Sequence, residues 1–380
     1  MGLRILHVYK DYYPVLGGME NHIKMLAESQ VQRGHAVTVL VTHPTSRTHV
    51  EHMNGVRVIK AGRLATVAST PLSLSLVAWL RRQTPDIAHL HFPYPIGELS
   101  QLFFGRARRA VMTYHSDVVR QRGLLQLYRP MLWRVLQRMD RIIATSPNYA
   151  ASSAYLSRMA ERCIVVPLGV DLGRFLAPPT PKVQSIRETY GSPLLLFVGK
   201  LRYYKGLQYL LQALSLLAGA TLELSPHLLV VGSGPMETEW RGLAHALGLA
   251  GRVTFLGAVS DEDLPSYYHA SDLFILPASE RSEAFGTVQI EAMAAGVPVV
   301  CTELGTGTSF VNVHGETGWV VPARDAAALA EAIQSLLLDP RQRQRMAQAA
   351  RARAVAEFSL ETMVDRVLAV YLDVLKRRDT

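Results

Sequence analysis

The sequence predicts an α/β fold: two doubly wound parallel sheets in succession, each covered by crossover helices. Three observations predict it. Short apolar runs alternate with longer amphipathic segments along the chain. The alternation stops at a proline-rich stretch, Ala177-Pro178-Pro179-Thr180-Pro181, and then restarts. With 380 residues the chain is long enough for two domains.

The elements follow in order. Residues 5–8, 37–41, 56–59, 87–90, 111–113 and 142–144 read as short buried strands. Gly34, before the second, suits a helix C-cap. The proline-rich stretch cannot continue a helix or strand and reads as a linker. The pattern resumes at 194–198, 228–231, 253–255, 273–276 and 297–301. Between the first two of these, Leu207, Leu210, Leu211, Leu214 and Leu217 recur at helical spacing. A last helical segment, 360–376, carries Met363, Val367, Val370, Tyr371 and Val374 close to one face, and the first domain is its expected partner. The expected division is 1–176, 177–358 and a returning helix at 359–380. Open parallel sheets bind ligands beyond the carboxyl ends of their strands, so both sets of strand ends are expected to face a cleft between the domains.

Composition narrows the function classes. Apolar residues make up 49% and charged residues 19%, which excludes a globally disordered chain. Two cysteines, Cys163 and Cys301, exclude a disulfide framework and a cysteine-built zinc site, and both read as buried thiols. The first residues form no signal peptide, and Leu6 stands where a myristoylation signal needs Ser or Thr. The apolar stretch 64–80 contains Pro71 and falls short of a membrane-spanning helix. A cytoplasmic protein is expected. The net charge of +9 is one-sided. Residues 1–180 hold 22 Lys and Arg against 10 Asp and Glu; the remainder holds 18 against 21. Residues 106–141 alone carry nine arginines and two acids. Such asymmetry fits a nucleic acid, an anionic membrane surface, or a solvated basic face.

Several familiar sites are missing. Gly199-Lys200 is followed by Leu201, so there is no Walker phosphate loop. Gly232-Ser233-Gly234-Pro235 lacks the third glycine of a dinucleotide fingerprint. No G-x-S-x-G elbow and no H-E-x-x-H pair occurs.

Four features remain. Gly17-Gly18 follows the first strand and its loop, where paired glycines either admit a phosphate to backbone N–H groups at a helix N-terminus or simply make a turn. Gly199-Lys200-Leu201-Arg202-Tyr203-Tyr204-Lys205-Gly206 places three cations at a strand end before a helix. That arrangement suits a diphosphate or a basic surface loop. The segment 280–291 holds Glu283 in a strand-to-helix turn marked by Gly286, and Glu291 inside the following helix, capped by Gly296. Two such carboxylates can contact different parts of one elongated ligand, and Glu291, flanked by apolar residues, needs a partner. Finally, His115 stands at a strand's carboxyl end in Thr113-Tyr114-His115-Ser116-Asp117. It is either a donor or proton carrier facing the cleft or a packing histidine.

With these residues the sequence resembles the retaining, nucleotide-sugar-dependent glycosyltransferases of sequence family four, which have the two-domain GT-B fold of Rossmann-like domains. The resemblance covers nearly the whole chain. Its most specific element is the E-x7-E motif, here Glu283 and Glu291. The resemblance implies that Glu283 binds the donor sugar, that Glu291 binds the ribose, and that the backbone of Ala284-Phe285-Gly286-Thr287 lies against the sugar diphosphate. The family's G-R-L-x-x-x-K-G diphosphate motif appears with Lys200 in place of the arginine. It therefore assigns Lys205 and leaves Lys200 or Arg202 for the second phosphate contact, since a lysine cannot fork bidentately. Gly17 and Gly18 match the glycine loop over the donor phosphates, His115 the histidine near the reacting carbon, and Val259 the segment whose backbone reads the base. The stretch 303–312 is similar to mannosyl- and rhamnosyltransferases of bacterial O-antigen and related polysaccharides, which points to a GDP-sugar donor.

The resemblance implies transfer with retention onto a hydroxyl of a lipid-linked glycan or polysaccharide acceptor. The nucleotide sugar is a substrate; no cofactor and no metal is expected, because cations and helix N-termini meet the charge of the leaving diphosphate. A basic first domain then fits peripheral docking on the inner face of the cytoplasmic membrane through Arg106, Arg108, Arg109, Arg120 and Arg122, and no nucleic acid is expected. A UDP-sugar-dependent transferase, a nucleotide-sugar 2-epimerase, a pyridoxal-phosphate-dependent phosphorylase and a catalytically silent nucleotide-binding module stay open as other readings.

Overall fold

The structure, a computed structural model, describes residues 2–15, 17–67, 70–118, 122–220 and 225–377, with the side chains of 122–125 and 219–220 excepted. Arg120 and the side chain of Arg122 therefore lie outside the described residues. The chain divides into two compact units, Met1–Gly169 with Leu360–Thr380, and Val170–Ser359.

The first unit carries strands β1 (Arg4–Val8), β2 (Ala36–His43), β3 (His49–Met53), β4 (Val56–Gly62), β5 (Ala65–Val67), β6 (Thr70–Leu72), β7 (Ile87–Phe92), β8 (Arg109–Tyr114), β9 (Arg141–Ala144) and β10 (Cys163–Val165). Its helices are α1 (Gly18–Gln32), α2 (Leu74–Arg81), α3 (Pro95–Phe104), α4 (Arg122–Arg138) and α5 (Pro147–Ser152). Eight strands form one sheet in the order β10-β9-β8-β7-β1-β2-β4-β3, parallel except for β3 against β4, while β5 and β6 form a separate hairpin. All six residues of β7 are buried, as expected of a central parallel strand. The strands missed by sequence patterning are β3, β5, β6 and β10. Each is short or at an edge; most of β3 is exposed, and the apolar run of β10 is only three residues long.

The second unit carries helices α6 (Gly173–Leu176), α7 (Pro181–Tyr190), α8 (Leu207–Ala220), α9 (Glu237–Ala246), α10 (Leu264–Ala270), α11 (Thr287–Ala294), α12 (Thr308–Val311), α13 (Ala326–Leu338) and α14 (Pro340–Phe358). Its strands are β11 (Leu194–Val198), β12 (His227–Val231), β13 (Val253–Gly257), β14 (Leu273–Leu276), β15 (Val299–Glu303) and β16 (Gly318–Pro322). They form one parallel sheet, order β13-β12-β11-β14-β15-β16. Leu207, Leu210, Leu211, Leu214 and Leu217 of α8 are all buried and pack with Leu228, Val230, Ile333 and Leu336, while Leu216 on the same helix is exposed. Each buried leucine contributes roughly 1.5–3 kcal/mol. Sequence patterning also missed β16, whose strand-like Trp319-Val320-Val321 is only three residues long between Gly318 and Pro322. The proline-rich stretch lies within this unit: Pro181 opens α7, and Thr180 bonds to Ser266 at 3.0 Å.

The last helix, α15 (Leu360–Lys376), belongs to the first unit and buries Met363, Val364, Val367, Val370, Tyr371 and Val374, including every residue of the expected face. Arg109 fixes its end, donating to the carbonyls of Val374 (3.0 Å) and Arg377 (2.5 Å). A cation at a helix C-terminus offsets the dipole and the orphan carbonyls. Arg109 is thus committed to a fold contact, which corrects its reading as a membrane-facing charge. Cys301 is buried but Cys163 is only half-buried. Among the described residues no helix is long and apolar enough to cross a membrane.

Candidate functional site

In the second unit the strand order runs outward from β11 in one direction and from β14 in the other. Ligands of open parallel sheets bind at such a reversal, beyond the strand carboxyl ends. After β11 the chain passes through a 3-10 turn, Tyr203–Lys205, to Gly206 and then α8. After β14 it loops through Glu283 to Gly286 and then α11.

Both helices thus start beside a glycine with positive φ, +69° at Gly206 and +78° at Gly286. A Cβ on Gly206 would stand 2.0 Å from the Pro277 carbonyl oxygen, so the two loops meet backbone to backbone there. Ser279 N–H donates to the Tyr204 carbonyl at 2.8 Å across the same seam.

This junction brings Lys205 Nζ to 2.7 Å from Glu283 Oε2. Both residues are buried, each with 8% of its surface exposed. The contact is an ion pair outside hydrogen-bond geometry, and Oε2 has no hydrogen-bond partner among the described residues. Two buried charges of opposite sign stabilise each other, and each is costly without the other.

The stretch 303–312 lies directly behind. Thr306 Oγ1 donates to the Glu283 carbonyl (2.9 Å), and Gly307 N–H donates to the Ala284 carbonyl (2.8 Å). Arg281 donates to the carbonyls of Leu304 (3.2 Å) and Gly305 (3.1 Å). Phe285 is buried against Phe358, with ring centroids 6.1 Å apart, and Thr287 opens α11. The segment therefore fixes the Glu283–Gly286 loop from below.

Glu291, on α11, accepts from Tyr268 OH at 2.8 Å. Burial pushes its carboxyl above the ordinary range, and the Tyr268 bond opposes that. Lys200 and Arg202 are both exposed, so burial does not choose between them as a second phosphate contact. Val259 is half-buried just after β13.

In the first unit, Gly17 precedes α1 with extended backbone and accepts from Asn21 N–H at 2.9 Å. A Cβ there would meet only the tip of Glu20, and one on Gly18 would meet nothing within 4 Å. Neither glycine is required by packing.

His115 is buried and does not stand alone. His7 (β1), His22 (α1), and His89 and His91 (β7) surround it, all buried. His89 and His91 share one face of β7 because strand side chains alternate. His91 Nδ1 lies 3.1 Å from His115 Nε2, and His7 Nδ1 lies 3.0 Å from His91 Nε2. His7 Nε2 is 2.8 Å from Gln30 Oε1. Gln30 in turn donates to Tyr371 OH (3.4 Å), whose oxygen is 2.5 Å from His89 Nδ1. Burial holds every ring neutral: His7 falls to about 4, His115 to about 3, and His22, His89 and His91 fall well below the ordinary range.

The acceptor at Gln30 Oε1 sets the direction of this chain. His7 Nε2–H donates to it, so His7 Nδ1 accepts from His91 Nε2–H, and His91 Nδ1 accepts from His115 Nε2–H. A neutral ring that takes up no proton until the pH falls to about 3 serves as a hydrogen-bond donor rather than a proton carrier near neutrality. Sequence reasoning missed the four partners of His115. Their signal was polar residues at core positions of otherwise apolar strands, as in Ile87-Ala88-His89-Leu90-His91-Phe92.

Two family profiles match the chain: Glycosyltransferase Family 4 over residues 16–174 and Glycosyl transferases group 1 over residues 181–353. D-rhamnosyltransferase WbpZ of Pseudomonas aeruginosa is 39% identical, over 92% of this chain and 91% of its own. O-antigen chain mannosyltransferase C of Escherichia coli is 36% identical, over 99% of this chain and 100% of its own. Among solved structures, sucrose-phosphate synthase from Thermosynechococcus elongatus superposes with a TM-score of 0.78 at 24% identity, over 97% of this chain and 98% of that one.

Proposed function

The chain belongs to the glycosyl transferases group 1, the family 4 glycosyltransferases of GT-B fold, and on that premise we propose that it transfers mannose or rhamnose from a GDP-sugar, with retention, to a hydroxyl of a lipid-linked or polysaccharide acceptor in bacterial O-antigen synthesis. The observation that carries the reading is the buried Lys205–Glu283 pair at the sheet's switch point, between the starts of α8 and α11. The similarity to a rhamnosyl- and a mannosyltransferase supports the sugar class.

In this proposal the donor splits the pair. Lys205 turns to the diphosphate, with Lys200 or Arg202 and the two helix N-termini adding positive field. Glu283 turns to the sugar hydroxyls, Glu291 accepts from the ribose, Ala284 to Thr287 line the diphosphate, and the backbone at Val259 meets the base. The bond from the anomeric carbon to the phosphate oxygen breaks, and a bond to the acceptor oxygen forms on the same face. The departing phosphate takes the acceptor's proton. Gly17, Gly18 and His115 serve the same reaction from the first unit, with His115 as a neutral donor. The positive groups meet the leaving-group charge, so transfer needs no metal.

Exposed Arg106 and Arg108, next in sequence to exposed Phe103 and Phe104, support docking on an anionic leaflet at the inner face of the cytoplasmic membrane. Flotation with anionic vesicles is expected to weaken with salt and to vanish with neutral lipid; indifference to both contradicts docking.

Transfer itself is tested by incubating the protein with GDP-mannose or GDP-rhamnose and an acceptor glycan and reading the anomer by NMR. A product of the donor's own anomeric configuration supports the reading. An inverted product, or a sugar altered without acceptor as an epimerase would alter it, overturns it.

A further inference from the structure

The histidine cluster contains one feature that hydrogen bonding within the fold does not explain. His22 is buried, and neither ring nitrogen has a partner among the described residues. An imidazole shut away from water with both nitrogens idle is destabilising, because it loses its bonds to water and gains none in return. Its ring stands edge-on to His91 and His115, with centroids 5.8 and 5.1 Å away.

We infer that His22, His91 and His115 form a binding site for one borderline transition-metal ion such as Zn2+. The ligating nitrogens all lie within 4.8 Å of one another. Two nitrogens on one tetrahedral zinc, with bonds of about 2.0–2.1 Å, are about 3.3–3.4 Å apart. His91 Nδ1 and His115 Nε2 already stand 3.1 Å apart, and a ring rotation of His22 closes the third side.

The second shell is in place. His91 Nε2–H donates to His7, and His7 donates to Gln30, which leaves the Nδ1 lone pair of His91 directed at the site. His115 needs only to move its proton from Nε2 to its own Nδ1, so binding releases no net proton. A second trio, His7, His89 and His91, is equally close, but all its ring nitrogens are already engaged, so it offers no idle ligand. Three neutral imidazoles select zinc, cobalt, nickel or copper over magnesium or calcium.

Occupancy takes His115 out of the reaction, so the ion is an inhibitor rather than a cofactor. That consequence rests on the role proposed for His115; the binding claim does not.

The test separates the two. Chelator-treated full-length protein titrated with Co2+, without sugar nucleotide, is expected to develop the visible bands of a four-coordinate site, saturably, and to lose them to Zn2+. His22→Ala removes the bands, or weakens binding at least tenfold, while His52→Ala, at an exposed histidine of β3, retains them. Where His22→Ala does not fold, His22→Gln replaces it, keeping volume while losing the ligand. No saturable bands in the wild type, or equal bands in the His22 variant, overturn the site. In a transfer assay Zn2+ inhibits the wild type, chelator restores it, and the His22 variant is insensitive. Bands without inhibition keep the site and overturn the inhibitory role.

Discussion

Lys205 Nζ and Glu283 Oε2 lie 2.7 Å apart, although the residues come from loops after different strands, β11 and β14. Neither loop alone could hold its charge in so buried a place. The pair sits close to where two helices begin.

Removing one partner strands the other. Lys205→Met or Glu283→Leu alone should lower stability by about 3–5 kcal/mol, whereas the double variant should recover most of it. All three should lose transfer by about a hundred- to a thousandfold. Denaturant melts and initial rates check this. A single variant with wild-type stability and rate would contradict the account.

The glycines beside the pair should rank by what a Cβ meets. Gly206→Ala drives Cβ into a backbone carbonyl, whereas Gly286→Ala meets only the tips of Leu276 and Gln289, 2.7 and 2.8 Å away. Gly296, φ +75°, has nothing within 4 Å and should cost about 1–2 kcal/mol for conformation alone. The melting temperatures should fall in the order Gly296→Ala, Gly286→Ala, Gly206→Ala, the last lowest.

Acid should unfold the first unit through its histidines. Their folded-state values lie below the unfolded 6.5, so the unfolded chain binds more protons in that window. The stability present above pH 6.5 is lost as pH falls towards 4 and 3, by at most about 1.4 kcal/mol per pH unit for each histidine. Denaturant melts at pH 7.5 and 5 should show the loss, and His7→Asn should flatten the slope. Equal stability at both pH values would contradict neutral burial.

Tyr268→Phe removes the donor that opposes the burial of Glu291. The carboxyl should then titrate higher still, and the KM for the donor should rise about tenfold with kcat little changed. A fall in kcat alone would place Glu291 in the wrong part of the ligand.

The central strands were legible because strands buried on both faces are continuous apolar runs, as in Leu194 to Val198. The edge strand β3 was not, since solvent relaxes its pattern, and β10 was not because its apolar run is only three residues long. The motif positions marked Lys205 and Glu283 separately, but only the close approach at Gly206 makes them partners. The histidine cluster was least legible. Its members come from three strands' worth of sequence and α1, and Tyr371 reaches His89 from 282 residues away. One-dimensional spacing carries no trace of such a meeting. The proline-rich stretch marked no boundary because Pro181 is a helix start, where a missing N–H costs nothing.

The most direct test is calorimetric binding of GDP-mannose to the wild type and to the Lys205→Met, Glu283→Leu double variant, whose fold the account expects to survive. Saturable binding to the wild type, at least thirtyfold weaker in the double variant, is the predicted result. Equal affinity in both proteins would contradict the claim that this pair grips the activated sugar.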